Sequence, residues 1–314
     1  MTRRRAGSRV AATLGVAAAA AVAWGTLIER NLFTVRRHTL PVLPAGAAPI
    51  RVLQLSDLHL APWQRRKTEW VRSLAGLNPD LLVTTGDLMG HTEALPTLRQ
   101  ALAPFAGVPG VFVHGSNDYY GPLLKNPLKY LREPSRKATR AQDIDNAAVT
   151  ALLRDEIGLA DLNNDAAALT IRGTRLELAG LNDPHIGYER PDEMRAALAA
   201  LRAEGPESDV ATPVRIGVVH APYQAALGAL LSEGADLLLA GHTHGGQVQL
   251  PGIGALTTNC DLPNDQASGL SVWYDAHRAA FLNVSAGLGT SIYAPVRFAC
   301  RPEASLIVLE PAAD

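Results

Sequence analysis

Two histidines one residue apart, His242 and His244, lie in a glycine-flanked segment that directly follows the apolar run Asp236–Ala240. Glycines allow a strand to turn sharply at the edge of a sheet, and residues i and i+2 of an extended segment project to the same side. We therefore expect the two imidazoles to converge on one place. Imidazole nitrogens that converge in this way are typical ligands of a transition-metal ion.

Four further apolar segments run into polar residues that could bind a metal ion. These segments cover residues 50–55, 81–85, 111–113 and 216–219. In open α/β sheets functional groups gather beyond the carboxyl ends of the strands, so side chains that follow these segments can meet in one crevice. The candidate ligands, in chain order, are Asp57, His59, Asp87, Asn117, His220, His242 and His244.

These oxygen and nitrogen ligands are too many for a single tetrahedral zinc ion, but they suit two ions that share a carboxylate. Asp87 is alone at its strand end and is the natural bridge. Two ions roughly 3.5–4 Å apart would bind a shared water, lower its pKa towards neutrality and stabilise both oxygens of an in-line displacement. The pattern predicts hydrolysis of phosphate esters, with Mn, Fe and Zn all open as the metal.

The ordered motifs D-x-H, G-D, G-S-N-D, an isolated His and G-H-T-H-G-G-Q resemble the calcineurin-like metallophosphoesterases, and the last is close to the form in their membrane-associated branch. The resemblance covers roughly residues 50–310. It implies an α/β fold, a four-layer αββα sandwich of two mixed β-sheets flanked by helices, with a dinuclear site at one edge. It further implies that Asp57, His59, Asp87 and His244 hold one ion, while Asp87, Asn117, His220 and His242 hold the other.

The third motif departs from the family pattern. The family has an Asn ligand followed by a His that protonates the leaving group, whereas this chain reads Gly115-Ser116-Asn117-Asp118. Aligned without a gap, Ser116 falls on the ligand position; aligned by chemistry, Asn117 is the ligand and the loop bulges by one residue. We favour Asn117, because an amide carbonyl is a better ligand than a neutral hydroxyl.

The usual histidine acid is therefore missing. The candidate proton donors are Asp118, His114, Tyr119 and His185. A leaving group with a low pKa, such as a phosphate, needs little protonation, which favours pyrophosphates or activated diesters as substrates. We expect the catalytic residues to be Asp87, Asn117, Asp118 and His220, and we interpret the segment 182–185 as a turn.

The N-terminal segment predicts membrane attachment. Residues 1–9 are basic, and the apolar residues 10–28 match the thickness of a bilayer core. An uncleaved single-pass anchor is favoured over an export signal, with a buried core helix as the alternative. The preceding arginines favour a cytoplasmic N-terminus and an extracytoplasmic catalytic domain in the cell membrane. Residues 29–49, which contain several prolines, are interpreted as a linker, and residues 50–314 as one metallophosphoesterase domain.

Charge and cysteine content add two constraints. The formal net charge is −1, so the chain lacks the basic footprint of a nucleic-acid-binding protein. Cys260 and Cys300 are expected to form a disulfide if the domain lies outside the cytoplasm, and to be free thiols if it lies inside.

The function expected from the sequence is that of a membrane-anchored phosphoesterase with two divalent metal ions, in which a hydroxide that bridges the ions attacks phosphorus. Phospholipids and UDP-diacylglucosamine-like lipids are the candidate substrates that the family resemblance suggests. Two alternatives stay open: a phosphodiesterase or phosphatase for small soluble esters, and a non-catalytic metal-binding membrane scaffold.

Overall fold

Two six-stranded β-sheets form the centre of the protein. The computed structural model describes residues 2–123, 141–204 and 213–312, with side chains from Thr13 onward. The first sheet contains β1 (Thr34–Leu43), β14 (Glu303–Pro311), β2 (Ile50–Leu55), β3 (Leu81–Thr85), β4 (Gly110–Val113) and β5 (Ala160–Asp161), in that spatial order. The second contains β12 (Gly269–Tyr274), β13 (Ala279–Val284), β9 (Leu237–Ala240), β8 (Val214–Val219), β7 (Thr174–Leu181) and β6 (Ala166–Ile171). A separate short hairpin pairs β10 (Gln249–Leu250) with β11 (Gly254–Ala255).

Both sheets are mixed, and each has a parallel centre. Strands β2 to β5 run parallel to one another, as do β7, β8, β9 and β13. Strand β14 is antiparallel to β2, and β6 and β12 are antiparallel to β7 and β13. Parallel strands that are covered on both faces read as continuous apolar runs, and this explains sequences such as that of β9, which is buried throughout.

Helices cover the outer face of each sheet. The helices that do so are α2 (Arg65–Ser73), α3 (Leu95–Leu102), α4 (Asn146–Ala151), α5 (Pro191–Ala203) and α6 (Gln224–Ser232), and the N-terminal helix is α1 (Thr2–Ala23). Apolar side chains of α2, α3 and α4 form one core with the first sheet, and those of α5 and α6 form another with the second sheet. A third core lies between the sheets, where Val83 and Val111 share a cluster with Ile216 and Leu239. The predicted order of helix, sheet, sheet and helix is therefore correct.

The N-terminal residues are helical, but the prediction of a membrane-spanning helix over residues 10–28 finds no support. Helix α1 ends at Ala23 and is followed by a π-helical turn, Trp24–Ile28. Within the described part of the chain, no helix combines the length and the apolar character needed to cross a bilayer.

The interpretation of residues 29–49 as a linker is wrong over Thr34–Leu43. These residues form β1, which pairs in parallel with β14 from Thr34 opposite Glu303 to Leu40 opposite Leu309. Strand β1 lies at the edge of its sheet, and the register shifts between Pro41 and Leu43. Proline lacks a backbone N–H and is tolerated at sheet edges, so the prolines that suggested a linker are compatible with a strand.

Cys260 and Cys300 are both buried, and both are free thiols. Of the two alternatives that the sequence left open for them, the structure has the unpaired one. Cys300 lies in the loop before β14, where its Sγ is 3.3 Å from the carbonyl oxygen of His244.

Candidate metal centre

The candidate ligands all follow the carboxyl ends of parallel strands, at the same edge of the two sheets. Asp57 and His59 follow β2, Asp87 follows β3 and Asn117 follows β4 in the first sheet. His220 follows β8, and His242 and His244 follow β9 in the second. The sandwich therefore brings together side chains that are far apart in the sequence.

Four of these side chains form a compact group that could hold a metal ion. One ligand atom from each of Asp57, His59, Asp87 and His244 lies within 4.8 Å of the others. The Nε2 atom of His59 is 3.4 Å from Asp87 Oδ2, and Nε2 of His244 is 3.5 Å from Asp57 Oδ1. Asp57 Oδ1 is buried and accepts no hydrogen bond. A buried carboxylate oxygen without a donor fits a bound cation, so these residues suit the implied metal.

A second group lies on the other side of Asp87. His220 Nε2 is 3.6 Å from Asp87 Oδ1, and His242 Nδ1 is 3.3 Å from His220 Nε2. Asn117 donates its backbone N–H to Asp87 Oδ1 at 2.7 Å, and its side-chain amide lies 2.8 Å from Asp87 Oδ2. The side chain of Asn117, the residue favoured from the sequence, thus lies against the Asp87 carboxylate. The Ser116 hydroxyl contacts the Asn117 amide at 3.4 Å.

Three of the four candidate histidines are held neutral. Burial lowers the pKa of His59 to about 4 and the pKa values of His242 and His244 well below the usual range. The carbonyl oxygen of Gly289 lies 3.1 Å from His244 Nδ1 and accepts its hydrogen. This bond fixes the tautomer and leaves the lone pair of Nε2 free for a cation.

His220 behaves differently. Burial lowers its pKa, but attraction to Asp87, Asp183 and Asp57 outweighs burial and raises the pKa to about 9. Its Nδ1 donates to the Thr85 carbonyl oxygen at 2.7 Å, which directs Nε2 towards Asp87. Among the carboxyl groups, burial raises the pKa of Asp57 to about 6. The pKa of Asp87 is lowered, because His220 and His59 offset its burial.

Five of the candidate ligands have left-handed backbone conformations, which are uncommon for residues other than glycine. Their φ angles are 49° for Asp57, 40° for His59, 53° for Asp87, 68° for His242 and 51° for His244. Such conformations persist where the surroundings determine them, and they cluster at functional sites. One support is the buried Lys67, whose Nζ donates to the carbonyl oxygens of Leu58 at 2.6 Å and His59 at 3.3 Å.

Two glycines allow the loops to approach the candidate ligands. A Cβ at Gly115 would lie 2.7 Å from His220 Cε1 and would also overlap the Asp87 carboxylate. A Cβ at Gly86, whose φ is 83°, would lie 2.9 Å from His220 Nδ1. Only glycine fits at such distances, which explains the glycines of the G-D and G-S-N-D motifs.

Two of the predicted proton donors are engaged in holding loops together. Asp118 is fully buried, and its Oδ1 accepts the N–H groups of Leu88 at 2.8 Å and Met89 at 3.1 Å. Its Oδ2 accepts the N–H of Gly115 at 3.0 Å. The Tyr119 hydroxyl is 3.1 Å from Asn182 Oδ1, and burial raises its pKa further above the working range. His114, another candidate, places Nε2 2.8 Å from the Thr150 hydroxyl.

The segment that the sequence suggested is a turn also lines the site. Pro184–Ile186 forms a 3₁₀ turn after β7, and the ring centroid of His185 lies 4.4 Å from that of His242. His185 Nδ1 is 3.1 Å from the Tyr223 hydroxyl. Asp183 is fully buried, and burial raises its pKa to about 7. The sequence could have indicated that Asp183 lies near the site, because it follows a parallel strand, as the candidate ligands do.

Known proteins of similar sequence identify the family of this chain. Residues 50–246, which contain all the candidate ligands, match the family model of the calcineurin-like phosphoesterases. The chain is 26% identical over 297 residues to the uncharacterized metallophosphoesterase YkuE of Bacillus subtilis (90% of this chain, 87% of that one). It is 25% identical over 314 residues to phosphodiesterase YaeI of Escherichia coli (98% and 99%). It is also 25% identical over 322 residues to the UDP-2,3-diacylglucosamine pyrophosphatase LpxG of Chlamydia trachomatis (90% and 91%). The chain belongs to the calcineurin-like phosphoesterase family, a metal-dependent hydrolase family whose ligand pattern its strand ends carry in order.

Proposed function

We propose that the protein hydrolyses phosphodiester or pyrophosphate bonds with two divalent metal ions. In this proposal Asp57, His59, Asp87 and His244 hold one ion, and Asp87, Asn117, His220 and His242 hold the other. The observation that carries it is the position of Asp87, whose Oδ2 lies 3.4 Å from His59 and whose Oδ1 lies 3.6 Å from His220. When bound, the ions would polarise the phosphoryl oxygens and lower the pKa of a water molecule at the site.

Surrounding residues set the protonation and the orientation of the candidate ligands before a metal ion binds. Neutral His59, His242 and His244 present lone pairs without a proton to lose, so binding at these positions needs no deprotonation near neutral pH. Carbonyl oxygens of Thr85 and Gly289 orient His220 and His244 from behind. Asp118 joins the G-D loop to the G-S-N-D loop, which keeps Asn117 beside Asp87. Its role in this proposal is therefore positioning and not proton transfer.

Leaving groups of low pKa are the proposed preference. The sequence has no histidine in the motif Gly115-Ser116-Asn117-Asp118, and Asp118 and Tyr119 are engaged elsewhere. A phosphate leaving group needs little protonation. The name of one similar protein, a UDP-2,3-diacylglucosamine pyrophosphatase, agrees with this preference. We accordingly propose nucleotide-linked lipid pyrophosphates as the preferred substrates. Phospholipids are the second candidate, because hydrolysis at their phosphorus releases an alcohol that needs more protonation.

A lipid substrate would be bound at a membrane surface. We propose that the N-terminal helix associates with the membrane. The helix exposes Leu14, Val16 and Val22, and Leu27 is 69% exposed in the turn that follows. Exposed apolar side chains of a surface helix can bury themselves in the bilayer interface. Sedimentation of the full chain with vesicles tests the association, and protease protection in intact cells tests the proposed extracytoplasmic position of the domain. A chain that neither sediments with vesicles nor enters the membrane fraction would contradict the first point.

The test of the activity uses the full chain in detergent, stripped with a chelator and reloaded with Mn²⁺ or Zn²⁺. Turnover of bis(p-nitrophenyl) phosphate and of p-nitrophenyl phosphate is compared in the wild type, in Asp87→Ala and in Asp192→Ala. The Asp192 side chain is 99% exposed, which makes this variant a matched control. We expect metal-dependent turnover that falls by about 10³ or more in Asp87→Ala only, since both ions lose a ligand. Two bound ions without turnover of these esters or of lipid pyrophosphates would favour the non-catalytic scaffold.

A further inference from the structure

A buried arginine far along the sequence lies behind the first ligand group. Arg297 is fully buried, and the two hydrogens of its Nη2 are shared among three carbonyl oxygens, those of Ala286 at 2.7 Å, Gly287 at 3.0 Å and Gly289 at 2.7 Å. In the described part of the chain no carboxylate forms an ion pair with it. A buried charge without a paired acid is unfavourable unless other polar groups compensate for lost water. The carbonyls of Ala286, Gly287 and Gly289 supply this compensation at Nη2, while the buried Nε has no hydrogen-bond partner.

The same carbonyls belong to a loop that contacts the candidate ligands. The Gly289 oxygen that accepts from Arg297 also accepts from His244 Nδ1 at 3.1 Å. The backbone N–H of Gly289 donates to the carbonyl oxygen of Asp57 at 2.6 Å. A Cβ at Gly289 would lie 2.6 Å from the Cβ of His59. One shared oxygen thus connects Arg297 directly to the ring of a candidate ligand.

Arg297 is in turn held by the segment Trp24–Glu29. The backbone N–H of Arg297 donates to the carbonyl oxygen of Gly25 at 3.1 Å. Glu29 is only 5% exposed; its Oε1 accepts the N–H of Cys300 at 2.7 Å and its Oε2 accepts from Trp24 Nε1 at 2.7 Å. A Cβ at Gly25 would lie 2.7 Å from the Arg297 carbonyl oxygen, so the two backbones are in close contact.

We propose that Arg297 is a positioning residue for the metal ligand His244, acting through the Gly289 carbonyl, and that Trp24–Glu29 hold Arg297 in place. The N-terminal segment would then be a structural part of the metal centre as well as an attachment. This inference rests on the metal assignment of the proposed function. Its physical basis is that the partner of the distal ring nitrogen fixes both the tautomer and the direction of the coordinating nitrogen.

A purely structural role for Glu29 and Arg297 is the alternative, and the chain offers a matched control for it. Glu177 is 6% exposed and accepts from Arg202 at 3.1 Å and Arg215 at 3.3 Å. It lies in β7, on the side of the second sheet that packs against α5 and α6, and contacts none of the candidate ligands among the described residues. Glu177→Ala therefore removes a glutamate as buried as Glu29 without changing the contacts of the loop 286–289.

The experiment compares the full-length wild type with Glu29→Ala, Glu29→Gln, Arg297→Lys and Glu177→Ala. Thermal unfolding of the metal-free proteins measures fold stability, and calorimetric titration with Mn²⁺ measures binding of the two ions. We expect both alanine variants to unfold at lower temperature. Only Glu29→Ala and Arg297→Lys should lower the affinity for one of the two ions, by about 10- to 100-fold. Glu29→Gln keeps an acceptor for the Cys300 N–H but places its NH₂ against Trp24 Nε1, so it should restore part of that affinity.

Equal Mn²⁺ affinities in Glu29→Ala and Glu177→Ala would overturn the inference while leaving the proposed function intact. Failure of the wild type to bind two ions would instead overturn the proposed function, and this inference with it. The two failures are therefore distinguishable in one titration series.

Discussion

The Nε2 atoms of His59 and His244 face each other at 3.2 Å, with ring centroids 5.0 Å apart. Burial keeps both rings neutral, and the Nδ1 hydrogen of His244 is directed to Gly289. The lone pair of His244 Nε2 therefore points at His59, close to the carboxylates of Asp57 and Asp87. Two ring nitrogens and two buried acidic groups around one point are the ligand set of a divalent transition metal.

Metal binding is expected to release a proton from His220. Its pKa is raised to about 9 in the metal-free protein, so the ring is protonated at neutral pH, and a cation can reach Nε2 only when that proton leaves. Calorimetric titration with Zn²⁺ in buffers of different ionisation enthalpy should show about one proton released near pH 7.5. The release should fade above pH 9, because a raised pKa means that the proton is already lost there.

His220→Gln is the control for this measurement, since glutamine carries no titratable proton. It should lose the release near pH 7.5 even though it binds the second ion more weakly. A wild-type release that stays the same well above pH 9 would contradict the assignment to His220. Below pH 6, metal binding is expected to release a further proton from Asp57, whose pKa is raised to about 6.

Gly115→Ala should disrupt metal binding. The new methyl group would lie 2.7 Å from His220 Cε1 and would overlap the Asp87 carboxylate, so the shared ligand or the loop must move. We expect activity to fall by at least about 10²-fold, as misplacement by about 1 Å does in other sites. Gly228→Ala is the control: it lies in α6 with nothing within 4 Å of its added Cβ. There alanine should be neutral or slightly stabilising. Equal activity in the two variants would count against the close packing proposed here.

The central strands could be predicted from the sequence, because they are buried on both faces and read as apolar runs between turn signals. Runs at 50–55 and 81–85 became β2 and β3, and the run at 216–219 became most of β8. The edge strand β1 could not be predicted in the same way. It alternates exposed and buried residues only weakly and contains Pro41, and its pairing depends on β14 at the far end of the chain.

The candidate ligands could be proposed from the sequence because strand ends, glycines and metal-ligand side chains coincide there. Their left-handed conformations could not, since φ angles at Asp57 or His242 depend on contacts with loops distant in the chain. Arg297 was also missed. No local pattern marks an arginine whose partners are backbone carbonyls, because any sequence can supply those carbonyls.

Asp118→Asn is expected to weaken the hydrogen bonds that connect the G-D loop to the G-S-N-D loop. One amide NH₂ would replace an oxygen that accepts backbone N–H groups, so a buried donor would face another donor. The metal-free protein should lose about 1–3 kcal/mol in free energy of unfolding, measured with urea. Activity should fall about 10- to 100-fold through the displacement of Asn117.

Leaving-group dependence separates this role from proton donation by Asp118. A proton donor matters most for leaving groups of high pKa, so its removal would reduce turnover of an alkyl ester more than that of a p-nitrophenyl ester. We expect Asp118→Asn to reduce both by the same factor. A much larger loss of turnover with the alkyl ester would show that Asp118 is the proton donor.

The wild type should itself depend strongly on the leaving group. Among diesters of one series, turnover should rise as the pKa of the leaving alcohol falls, because no histidine follows Asn117 to protonate it. His185→Gln tests one of the two histidine candidates, the one whose ring lies against His242. If His185 is not the acid, the slope of log kcat against leaving-group pKa should be unchanged in the variant. A steeper slope in His185→Gln would identify His185 as the donor.

A chain that begins at Leu40 should fold poorly, although residues 29–49 look like a dispensable linker in the sequence. It lacks Thr34–Thr39, which pair with β14 opposite Glu303–Val308, and it lacks Glu29. Removal of an edge strand exposes the unpaired backbone of β14 and invites pairing with other chains. We expect low soluble yield and aggregation on size-exclusion chromatography, while a chain that begins at Ala23 keeps β1 and the Glu29 contacts and should remain monodisperse in detergent. Equal stability of the two truncated chains would show that β1 contributes little to the sandwich.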